Sequence, residues 1–130
     1  MGATESAIQE SEHWFIGEDR SVVIDVTSDG TTPQTMTGWA LTWELLTRRG
    51  GTVLITKSTG GSGITIGNGS GTNDRATVVV SDTDTEGLAT TLDVNIDQVA
   101  GTYFHVLRRT DAGAESVLSF GDVVLQQASI

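Results

Sequence analysis

The residues with the best spacing for chemistry in this sequence are acidic. Asp93-Val94-Asn95-Ile96-Asp97 sets oxygen donors at alternate positions, as at the opening of an EF-hand calcium loop. Such a loop needs glycine next for its tight turn and a bidentate glutamate at its twelfth position. The sequence has Gln98 and Phe104 there, and the apolar residues between the acids mark the outer face of a strand instead. Asn68 to Asp74 is rich in oxygen and glycine but has no carboxylate pair, so it reads as a flexible connection. Asp82 and Asp84 suit turn or capping positions better than ligation. No metal or cofactor is expected.

Candidates for catalysis are few. His13 and His105 are the two histidines, and histidine is the side chain suited to base work near neutral pH. His105 lies within Tyr103-Phe104-His105-Val106-Leu107, where strand alternation puts it on one face with Tyr103 and Leu107, as a structural core histidine. No serine sits in a Gly-x-Ser-x-Gly elbow. Gly60-Gly61-Ser62-Gly63 lacks the lysine of a phosphate cradle. No enzymatic activity is expected.

Composition narrows the partners. The chain has 130 residues, no cysteine, and 7 basic against 17 acidic residues, a net charge of −10. The length suits one domain. The missing cysteines exclude disulfides and thiolate chemistry. The negative balance argues against nucleic acid, which is bound through clustered Lys and Arg, and against anionic membranes. Met1-Gly2-Ala3-Thr4-Glu5-Ser6 fits a myristoylation pattern. A lone acyl chain anchors weakly without a basic patch, however, and Glu5, Glu10 and Glu12 are acidic. Residues 1–12 therefore read as a solvated arm and residues 13–130 as the domain.

The elements that must position these residues have a period of two. Val22, Ile24 and Val26 alternate with Val23, Asp25 and Thr27 before the Asp29-Gly30 turn. Gly38 to Thr47 places Trp39, Leu41, Trp43 and Leu45 on one face, and Arg48-Arg49-Gly50-Gly51 supplies a hairpin turn to Thr52–Ser58. Ile64 and Ile66 mark a short strand, and Arg75–Ser81 is the next. Ser81 to Leu88 starts with capping residues and fits one helical turn. Thr91–Asp97 alternates cleanly, and Gly101–Arg109 with Ser116–Gln126 form a hairpin around Asp111-Ala112-Gly113. Seven or eight strands and no long helix predict a single all-β antiparallel sandwich, with a small barrel as the lesser alternative.

Trp39, Leu41, Trp43 and Tyr103 are the expected core residues. Gly101-Thr102-Tyr103 has the look of a tyrosine corner. An exposed tryptophan platform for sugar stacking would give a similar sequence, so a carbohydrate-binding or adhesion module is the alternative function. Ile8, His13, Trp14, Arg48 and Arg49 are the expected partner contacts, in the arm and at a strand end.

A family resemblance runs through residues 14–126. Trp14-Phe15-Ile16-Gly17-Glu18-Asp19 precedes a Val-rich strand, and then come Asp29-Gly30-Thr31, Gly38-Trp39-x-Leu41-x-Trp43 and Val53-Leu54-Ile55-x-Lys57-Ser58. Asp82-Thr83-Asp84-Thr85, Gly101-Thr102-Tyr103, Arg108-Arg109-Thr110-Asp111 and Val117-Leu118-x-x-Gly121 follow. This order resembles the N-terminal domain of tailed-phage baseplate upper proteins and short phage head and tail proteins. The resemblance implies an Ig-like sandwich that decorates or links capsid, neck or tail in many symmetric copies, assembled in the host bacterial cytoplasm. Its partners would be other virion proteins and further copies of itself. The chain departs from the pattern in its longer acidic arm, its larger Gly loop from Thr59 to Asn73, and extra residues between Leu88 and Gly101. With no fibre domain after Ile130, a capsid decoration, neck or tail-decorating subunit is expected rather than a baseplate adaptor.

Overall fold

The computed structural model describes residues 8–9, 12–86 and 100–127. They form strands β1 (Ile8–Gln9), β2 (Glu12–Ile16), β3 (Arg20–Asp25), β4 (Leu41–Leu46), β5 (Val53–Ser58), β6 (Ile64–Gly67) and β7 (Arg75–Val80). A short helix α1 (Asp82–Glu86), β8 (Ala100–Arg109) and β9 (Ser116–Gln127) complete the list. The fold is all-β with two sheets. The larger has the order β1-β9-β8-β4-β5, with β2 also on β9, and the smaller is β3-β7-β6. The larger sheet curls into a half-barrel.

Alternation builds the core. Val22, Ile24 and Val26 turn inward from the smaller sheet to meet Leu41, Trp43, Leu45, Leu107, Leu118, Val123 and Leu125 of the larger. Burial of these side chains supplies the main driving force for folding. The β8–β9 hairpin closes around Asp111-Ala112-Gly113, and β4 turns into β5 at Arg48–Gly51. At that second turn Gly50 has φ +74°, a left-handed conformation that glycine adopts without a Cβ clash.

Several expectations need correction. The sheet is not purely antiparallel, because β1 and β2 run parallel to β9, pairing Ile8 with Ser119 and Trp14 with Leu125. What reads as a solvated arm therefore enters the sheet at Ile8–Gln9 and Glu12. Trp14 is wholly buried, its ring centroid 6.0 Å from that of Trp43, because a tryptophan on the inner face of an added strand gains more from the core than from water. The strand expected from Gly38 starts at Leu41.

The connection between β6 and β7 is ordered around one carboxylate. Asp74 is 1% exposed and accepts hydrogen bonds from the Gly69 N–H at 2.7 Å and the Gly71 N–H at 3.2 Å. The Gly69 bond foremost holds its pKa below the ordinary carboxylate value. Glycine is required here by close approach. A Cβ on Gly69 would stand 2.9 Å from an Asp25 carboxylate oxygen, and one on Gly71 would stand 2.6 Å from the Pro33 ring. The Thr91–Asp97 strand and the calcium-like acids lie outside the described residues, as does the segment a tyrosine corner would bind.

Candidate functional site

The strand β8 is apolar on both faces, which is unusual for a sheet with one side in water. Tyr103, His105 and Leu107 face the core. The Trp43 indole N–H donates to His105 Nδ1 at 3.2 Å, and His105 has no exposed surface. Because indole nitrogen is a donor only, Nδ1 acts as acceptor and the imidazole carries its proton on Nε2.

The other face carries Phe104, Val106 and, from the paired strand β9, Phe120. Leu46 and Val106 are 8% and 9% exposed but do not belong to the inner core cluster. Val106 lines the outer face with Phe104, Phe120 and Arg49, and Leu46 stands opposite Phe104 in the ladder. The Arg49 guanidinium carbon lies 4.8 Å from the Phe104 ring centroid and 5.5 Å from that of Phe120, within cation–π range. The two rings lie 6.3 Å apart. Arg49, Phe104, Val106, Val117 and Phe120 line an open groove of about 370 Å³, and Val117 at its end is 42% exposed. Aromatic rings beside an arginine are the composition of protein–protein hot spots.

Charge singles out the same place. Arg20, Lys57, Arg75, Arg108 and Arg109 pair with Glu18, Asp84, Asp25, Glu44 and Asp111. Among the described residues only Arg48 and Arg49 have no carboxylate partner. Both are exposed on the β4–β5 turn. In a chain of net charge −10, two free cations on a turn whose Arg49 lines an apolar groove make a local field opposite in sign to the chain's net charge.

Of the expected core residues, Leu41 and Trp43 are wholly or almost wholly buried and Tyr103 is 6% exposed. Trp39 is only half-buried. It precedes β4, and Arg109 lies over its ring at 3.8 Å. Asp111 fixes that arginine from Oδ2 at 2.8 Å and accepts the Ala40 N–H at 3.0 Å. Arg109 first, then Ala40, lowers the Asp111 pKa. Trp14 and Trp43 thus have no exposed ring surface, and the half-buried Trp39 carries Arg109 over its ring. Ile8 and His13 are placed as backbone in β1 and β2, opposite Ser119 and Val124. Arg49 lines the groove, and Arg48 precedes it on the exposed turn. Sequence reasoning missed Phe104, Val106 and Phe120, although the unbroken apolar run 103–107 was the available signal.

Compared with known proteins, the chain matches no protein-family model and no curated protein.

Proposed function

We propose that this chain is a non-catalytic virion structural protein of a tailed phage. On this reading it docks to capsid, neck or tail proteins through the outward face of its larger sheet, in many symmetric copies, and its two sheets form an Ig-like sandwich. The observation that carries the docking role is the outer apolar layer of Phe104, Val106, Val117 and Phe120 beneath an arginine with no carboxylate partner. Exposed apolar surface of this kind is costly in water and marks interaction sites. The virion setting is supported by the order of sequence motifs from Trp14 to Gly121, which resembles that of baseplate upper proteins and small head and tail proteins. The mechanism is surface complementarity, with aromatic anchors giving affinity and the arginines giving register.

Immunogold labelling of purified particles from the phage that encodes the chain tests the setting. Gold is expected at regular positions on head, neck or tail. Particles that carry no label, with the protein present only in the lysate, would overturn it.

A further inference from the structure

The two sheets share one core, so their other faces point away from each other. Each of those faces exposes apolar residues. On the smaller sheet Val23 and Val79 are 48% and 47% exposed. They stand on adjacent strands one register step apart, opposite Thr77 and Ser21 respectively. Asp19 and Asp82 lie at the end of this face, where β3 begins and β7 ends, and the Asp82 N–H donates to the Asp19 carboxylate at 2.8 Å. Among the described residues no cation pairs with either acid. The larger sheet's outward face has the opposite sign at its end, with Arg49 beside Phe104 and Phe120 and Arg48 next to it on the same exposed turn.

We infer that the occupant of the larger sheet's groove is a second copy of this chain, seated by the outward face of its smaller sheet, so that copies join head to tail. This rests on the docking role proposed above and names the partner. Val23 and Val79 would cover the Phe104–Phe120 layer, while Asp19 and Asp82 would supply the carboxylates that Arg48 and Arg49 lack. The two patches are different surfaces on opposite sides of one molecule. Such a contact is heterologous, and it repeats into a ring or a filament rather than stopping at a dimer.

Its strength follows from its size. The three strands of the smaller sheet, of about six residues at most, present a footprint of roughly 14 by 20 Å, about a third of the ~800 Å² per partner of a standard interface. The free protein therefore associates weakly, and the contact becomes firm where a particle already holds the copies side by side.

Sedimentation velocity at ~0.15 M salt, from about 10 μM to 1 mM protein, is the test. The wild-type average sedimentation coefficient is expected to climb past the dimer value. Arg49→Glu and Asp82→Arg should each move that rise to about tenfold higher concentration or beyond. Their equimolar mixture should recover it, because the two introduced charges meet each other. Val79→Lys should weaken association independently, and urea midpoints check that each variant is folded. A wild-type chain that stays monomeric to 1 mM would overturn the inference. So would a dimer indifferent to Asp82→Arg, as a symmetric contact between Arg49 and the exposed Asp122 would give, or a mixture that fails to recover. The particle labelling described above reads the virion role whether or not the free chain self-associates, so the two can fail separately.

Discussion

The larger sheet has two apolar faces, and they are finished differently. Inside, Trp43 meets Trp14, His105 and the smaller sheet, and every large side chain there is sealed from water. Outside, Phe104 and Phe120 are covered by one arginine that reaches back from a turn. The same strands β4, β8 and β9 serve both. The inner face thus belongs to folding, whereas the outer face is left with surface and charge still to be matched. An arginine lid suits that role. Its stem and planar head shield apolar rings in the free protein, and it can turn its donors to a carboxylate when a partner arrives.

The sharpest way to break this contrast is from inside. Trp43→Ala should destabilise the fold by about 3–5 kcal/mol, because it opens a large cavity beside Trp14, and denaturant midpoints read that loss. Trp43→Phe isolates the polar part. It fills most of the space but takes the indole donor from His105 Nδ1, for a cost of about 1–3 kcal/mol. Phe104→Ala on the outer face should cost less, about 1–2 kcal/mol, since the ring is already partly in water. A penalty there equal to that of Trp43→Ala would mean the outer layer is as much a core as the inner one. Arg49→Ala should cost about 0.5–1 kcal/mol, the range of an exposed cation–π contact.

Acid tests two carboxylates in the loops. Asp29 has a pKa lowered to about 2, chiefly by the Thr32 N–H and then the Thr31 N–H, and Asp74 is lowered by Gly69. Each carboxylate binds its proton more weakly when folded. Its stabilising contribution is therefore complete above the unfolded value near pH 4 and is lost as pH falls through the lowered folded value, about 2 for Asp29. Midpoints at pH 7, 4 and 2.5 should fall mainly over the last interval. Asp29→Asn should flatten part of that drop while leaving the Phe104 and Trp43 penalties at neutral pH unchanged.

Much of this was legible in the sequence. Strict alternation located β3, β4, β7 and the β8–β9 hairpin, because a side chain's face is fixed by its parity along a strand. Leu41 and Trp43 followed from the same rule. Trp14 did not. Its strand is short, lies in a polar segment, and is held by a parallel ladder to residues more than a hundred positions away, so nothing local announced it. Trp39 shared the parity of Leu41, but parity carries no information before the strand begins. The loop around Asp74 looked like slack chain, since a single carboxylate collecting backbone donors leaves no pattern beyond the glycines it requires. The outer layer was hidden for another reason. A strand apolar on both faces resembles a fully buried one, and only the three-dimensional neighbours reveal that Phe104 looks out.

The parallel ladder between β2 and β9 also has a mechanical consequence. Because β1 and β2 run alongside β9 in the same direction, Ile8 sits at the Ser119 end and Ile16 at the Gln127 end. A pull on Ile8 and Gln127 in opposite directions would not open this edge one hydrogen bond at a time. It would slide the strands lengthwise and load the whole row of bonds at once, with Trp14 locked crosswise into the core as a peg. Resistance of that kind is set by the height of the unfolding barrier rather than by equilibrium stability. Tension along this sheet edge would thus be shared by the whole β2–β9 ladder instead of falling on its end bond.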